Sequence, residues 1–374
     1  MTWWVVSTTL FFVPSTTDSF YQPKSSLCVI GALMLLSVPT VSFRGLSNPW
    51  IRRLAWWVII QFSALFVLHQ AFRQPIFGIQ FSPWTLLPTL LFLTSLWMLE
   101  KLGRSTESEQ QWVKLADTLC LTGFIIGLVG WADYFGFSQL IRVNPRWNAG
   151  SVPSLFGNTM VSMGYLGTLL PLYLIFKPLR YRLGFWFLTV LILLSGSAIG
   201  VVAGLMGVLT VLLLTRRYKL LGLTTLLSVG AFFYLLTTHP SFLSITQRPI
   251  IWTHVLQAWR EVPYTGMGLG AVASRFGFEK QPDLYLPFNQ VHNDYLQLLA
   301  EIGLIGVILG GLAIGWCLWR TLKEERSILQ SGWLAVLASL AVVMVFSFPL
   351  EIAPCMMVGL FAWAGLESQL AEGG

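Results

Sequence analysis

The chain has 374 residues, of which 55% are hydrophobic and only 10% charged, and its mean hydropathy is +0.70. Soluble domains carry roughly a quarter charged residues, and 23 Lys and Arg with 16 Asp and Glu cannot cover a soluble body of this size. The net charge of +7 does not point to nucleic acid, because the basic residues fall between apolar runs and act there as topology signals.

Apolar runs approaching the ~20 residues a spanning helix needs occur at 2–14, 26–43, 54–72, 84–100, 112–135, 158–176, 183–197, 199–215, 219–236, 293–319, 332–349 and 354–370. They predict an all-α polytopic membrane protein, one transmembrane domain over 1–374 with about 12 transmembrane helices. The first run lacks a basic leader and a small-residue cleavage site, so it reads as a retained span. Cys28, Cys120, Cys317 and Cys355 lie in or beside apolar runs without metal-ligand spacing, the pattern of core thiols. Small-residue spacings at Gly123/Gly127, Gly196/Gly200/Gly204, Gly306/Gly310 and Gly311/Gly315 predict close helix packing.

Orientation follows from Lys and Arg. Loops after alternate spans carry fifteen of them, from Arg44 to Arg326, whereas short loops on the other side carry Lys24, Arg73, Arg142 and Arg146. Both termini are therefore expected in the cytoplasm. Two hydrophilic segments, 136–157 and 237–292, then face outward. In the longer one, Ile251, Trp252, Val255, Leu256 and Trp259 recur at helical spacing behind Pro249, which predicts an amphipathic helix at about 249–260 lying in the interface. The stretch Tyr264 to Gly270 is glycine-rich but neither spells a dinucleotide fingerprint nor follows a strand; it reads as a tight turn.

His292 stands before the long apolar run, with Asn293 or Asp294 placed to cap a helix there. Such a helix end favours an anion and disfavours imidazolium, while Asp294 pulls the other way. His292 is thus either an interfacial histidine or a neutral base beside a bound diphosphate. Outward arginines Arg73, Arg142, Arg146, Arg248 and Arg275 have the fork geometry to grip a diphosphate, or else meet solvent and headgroups. Glu301, two turns into the apolar run, either serves function or satisfies nearby backbone. His69, His239 and His254 rank behind His292. The outer acids, Asp133, Glu261, Glu279, Asp283, Asp294 and Glu351, are scattered in sequence, so no metal site is expected.

The stretch His292-Asn-Asp-Tyr-Leu-Gln-Leu-Leu-Ala-Glu301-Ile-Gly303-Leu-Ile-Gly306 resembles the signature block of the O-antigen ligase/polymerase superfamily. Arg248-Pro-Ile-Ile-Trp252 leading through Pro263 to Gly266-Met-Gly-Leu-Gly270, and Ser154-Leu-Phe-Gly157-Asn158, are similar to further elements of that family, so the resemblance covers about 150–374 in order. One departure is plain: where relatives carry an arginine between two central spans, this chain reads Ser195-Gly-Ser-Ala198-Ile-Gly200. The resemblance implies a GT-C-like glycosyltransferase of the bacterial inner membrane, working at the periplasmic face without metal or cofactor. Its donor would be an undecaprenyl-diphosphate-linked glycan and its acceptor a glycolipid or glycan. His292 would take the acceptor proton and Arg248, with other outer arginines, would stabilise the departing diphosphate; Asn293, Asp294, Glu301 and Asn158 would support them. Ligase, polymerase and protein-glycosylating members share this pattern; the absence of an appended C-terminal domain disfavours the last. A transporter or flippase is the alternative of another class, expected to show paired broken-helix sites near the midplane.

Overall fold

The structure is a computed structural model and describes residues 49–72, 109–137, 154–225, 248–277, 290–323 and 326–372, with isolated positions between them. Arg73, Arg142 and Arg146 lie outside the described residues, as do the expected spans 2–14, 26–43 and 84–100 and most of 219–236. The described residues are helical, without strands: α1 Pro49–Phe72, α2 Glu109–Tyr134, α3 Thr159–Ile175, α4 Leu179–Leu194, α5 Ala198–Leu214, α6 Arg248–Glu261, α7 Ala271–Phe276, α8 Asp294–Lys323, α9 Ile328–Phe346 and α10 Ala353–Glu372. Helices α2, α8 and α9 are long and apolar enough to cross a membrane; α3, α5 and Pro354–Glu367 are apolar but shorter.

Local sequence explains where these helices start. Asn158 caps α3 by accepting from the Met160 amide (2.9 Å), and Ser197 caps α5 through the Gly200 amide (3.4 Å). Ser327 and Gln330 form a reciprocal capping box on α9. The centre is α3, buried along most of its length and packed on α2, α4, α5 and α9. Helices α3 and α5 approach closely because glycines face each other: a methyl on Gly167 would lie 2.5 Å from the Gly200 carbonyl oxygen, and Gly207 leaves room for Pro171. Gly123 likewise admits Leu169 and Tyr173. At Gly311 and Gly315 no described residue lies within 4 Å of an added methyl. Cys120, Cys317 and Cys355 are buried, as expected of core thiols, while Cys28 is outside the described residues.

One span is not continuous. Helix α8 breaks at Gly303, whose φ of 69° and ψ of 178° belong to a region open essentially to glycine alone. A break in a membrane helix frees carbonyls before it and amides after it, and lipid offers them no partner. Here the glycine turn after α6 fills the gap. Met267 and Gly268 amides donate to the Ala300 and Glu301 carbonyls (both 2.8 Å), and the Leu304 and Ile305 amides donate to the Pro263 and Tyr264 carbonyls (3.0 and 3.2 Å). From α1, Trp57 Nε1 donates to the Ile302 carbonyl (3.0 Å) and Gln61 Nε2 to the Glu301 carbonyl (2.7 Å). A Cβ on Gly266 would sit 2.4 Å from the Gly303 nitrogen, and one on Gly303 2.4 Å from the Gly266 nitrogen.

Gly303→Ala must therefore incur the conformational penalty, on the order of 1–3 kcal/mol, and also push the two facing backbones apart. The expected result is loss of monodisperse folded protein in detergent, with Gly311→Ala as the tolerated control; normal yield and thermal midpoint for Gly303→Ala would refute the account.

Candidate active site

The sequence places Arg248 and His292 44 residues apart, and folding brings them together. Arg248 opens α6, and one turn later Trp252 Nε1 donates to the carbonyl of Val291 (3.0 Å), the residue before His292. Ile251, Val255 and Ala258 on α6 pack with Val262, Met267, Val272, Phe276, Phe288, Val291 and Ala300 into a compact second core. The apolar stripe of α6 is thus covered by protein, rather than lying on lipid as its amphipathic pattern suggested.

His292 itself adopts φ 56°, an uncommon left-handed conformation for a residue with a side chain. Its neighbours hold it there. Gln297 Oε1 accepts from the Val291 amide (3.3 Å), so both polar groups of Val291 are engaged, the carbonyl by Trp252 and the amide by Gln297. Asn293, and not Asp294, caps α8 by accepting from the Leu296 amide (2.9 Å). Phe348 meets the imidazole edge-on with ring centroids 5.1 Å apart.

Burial, and next the Arg248 charge, lower the pKa of His292 below its usual 6.5. Burial likewise lowers that of Arg248. The opposing pull anticipated from Asp294 is absent because its buried carboxylate turns away and accepts from the Leu350 amide (2.9 Å). His292 is consequently neutral at pH 7, with a free base available beside a cation.

The other candidates divide clearly. Arg275 is paired with Glu261 by two hydrogen bonds of 2.8 and 2.9 Å, which also holds the Glu261 carboxyl below its ordinary range. Its fork faces α6 rather than His292. Glu301 is buried just before the helix break and accepts from the Val272 amide (3.4 Å) at the start of α7, so it satisfies backbone. Asn158 is the α3 cap. Sequence reasoning passed over Gln61 and Trp57, read Gln297 only as part of the cap of α8, and left Glu351 among scattered acids; their roles are visible only once distant segments meet. Glu351 follows α9 and accepts hydrogen bonds from Gln297 and from Gln290. Its side chain is exposed at the surface, and the protein atoms crowded around the carboxyl push it up to about 7. Among the described residues no group of three or more His, Cys, Asp or Glu is arranged to hold a metal ion.

These features define a multi-helix membrane protein whose histidine and arginine meet at the end of a broken span. Residues 183–311 match the O-antigen ligase family, a segment that contains Arg248, the glycine turn, His292, Glu301 and Gly303, and the match supports membership of the O-antigen ligase superfamily. No curated protein matches the chain. The match supports a ligase- or polymerase-type membrane enzyme, a family that implies glycolipid or glycan substrates.

The His292–Arg248 coupling is measurable without substrate. In Arg248→Gln the His292 pKa should rise, yet stay under 6.5 because burial remains; histidine Cε1 chemical shifts followed against pH would show it. An unmoved titration would mean that the two groups do not interact.

Proposed function

We propose that the protein transfers a glycan from an undecaprenyl-diphosphate donor to an acceptor hydroxyl at the periplasmic face, as an O-antigen ligase. The observation that carries this reading is the neutral, half-buried His292 beside the Arg248 guanidinium, inside the segment that matches the family. The acceptor oxygen attacks the anomeric carbon as the bond to the diphosphate oxygen breaks, and its proton passes to His292. A single displacement of this kind inverts the anomeric centre. Charge grows on the leaving diphosphate, where Arg248 offers up to five donors in a rigid fork, in a partly desolvated setting that strengthens the interaction. With Arg275 committed to Glu261, the further cations of the clamp are sought at Arg73, Arg142 and Arg146, and the chemistry is taken to need no metal.

Joining repeat units uses the same displacement, with the end of another lipid-linked glycan as acceptor, so a polymerase is the neighbouring reading. The broken span raises the transporter reading again, since discontinuous helices mark many transport sites. Against it, the groups freed at Gly303 are engaged by the glycine turn and α1, and so are not offered to a passing solute.

In membranes supplied with lipid-linked glycan, His292→Ala should lower transfer about 10²- to 10⁴-fold, the range of a lost general base, and Arg248→Ala should act comparably. Wild-type turnover should fall as pH drops through the lowered His292 pKa, where imidazolium cannot accept a proton. Full transfer by folded, inserted His292→Ala would remove the proposal; counterflow of labelled glycan into proteoliposomes without transfer would establish transport instead.

A further inference from the structure

A short relay leads from the junction between α9 and α10 to the peptide that carries His292. The Val291 amide can only donate, so the Gln297 oxygen must face it, and the Gln297 Nε2 is left to donate elsewhere. Its acceptors are two carboxyl groups, those of Glu351, which can only accept while ionised, and of Glu301. Glu351, together with Glu301, therefore favours the orientation in which the Gln297 oxygen faces Val291. Since Trp252 holds the other side of the Val291 peptide, the amide orientation decides whether that peptide is clamped from both sides or from one. His292 follows immediately in its left-handed conformation, which costs about 1–3 kcal/mol and persists only where surroundings over-determine it.

We propose that Glu351 is a positioning residue for His292, acting through Gln297 and the Val291 peptide. Its role in transfer rests on the function proposed above; its hold on His292 does not. The groups facing Glu351 are Gln297 and Asp294 from α8, Gln290 from the preceding segment, and, through its charge, Glu301. Protonated, Glu351 becomes a donor that competes with the Val291 amide for the Gln297 oxygen. The clamp is then complete above the Glu351 pKa of about 7 and weakens as pH falls through it.

Glu351→Ala and Gln297→Leu should each lower kcat about 10- to 100-fold, the scale of a slightly misplaced catalytic group, with KM little changed. Glu351→Gln should recover most of the rate, because its amide oxygen still accepts from Gln297. It should also erase the bend near pH 7 and leave only the His292 limb at lower pH. A second measurement does not need transfer: carbethoxylation of His292 by diethylpyrocarbonate at pH 8, read by mass spectrometry of its peptide, should be several-fold faster in Glu351→Ala and near wild type in Glu351→Gln. Unchanged labelling in Glu351→Ala overturns the proposal, as does a Glu351→Gln enzyme as slow as the alanine variant. If the alanine variant does not fold, a bend near pH 7 persisting in Glu351→Gln overturns it equally. Altered labelling in a protein that transfers no glycan would leave the relay standing and remove the transferase reading instead.

Discussion

The rest of the structure depends on how α8 is interrupted. A helix crossing lipid satisfies its own backbone, and any break exposes groups that the solvent will not receive. At Gly303 the protein meets this constraint with its own backbone, threading residues 263–268 into the gap so that carbonyls on one side and amides on the other find partners. Two glycines nearly in contact make the approach possible. The interruption in turn fixes the segment following α6, and with it the direction in which α6 presents Arg248.

From that anchor the site assembles over short distances. Helix α6 and the start of α8 share one apolar core, and the Trp252 hydrogen bond ties the front of α6 to the residue before His292. Burial then acts electrostatically: imidazole and guanidinium both sit in surroundings that disfavour charge, and each neighbour's character follows. The histidine gives up its proton, whereas a guanidinium stays charged even with a lowered pKa. A neutral base and a permanent cation side by side need no further tuning for an acid–base step next to an anionic leaving group.

Much of this was legible in the residues. Apolar run lengths located the described helices to within a few positions, and Asn158 before α3 carries a cap's signature. The His292 block marked where α8 begins, because an asparagine before a long apolar run is a helix cap. The break at Gly303 was not legible: the run Ile302-Gly-Leu-Ile-Gly306 has the hydropathy of an ordinary span, and a lone glycine inside a helix pattern signals nothing about its ψ. Glu351 was hidden for another reason. Its meaning comes from Gln297, 54 residues away, and no period or spacing links a loop carboxylate to a helix amide at that distance. The amphipathic pattern of α6 was read correctly as one-sided, but hydropathy cannot say whether lipid or protein covers the apolar side.

The filled gap at Gly303 is also closed by two loops of very different length. The turn at 263–268 meets its receptor across 33 to 41 residues, a loop that costs less entropy to close than the 240 residues between Gln61 and Glu301. Helix α1 is therefore the long-range latch on a joint whose other side is made within one local segment.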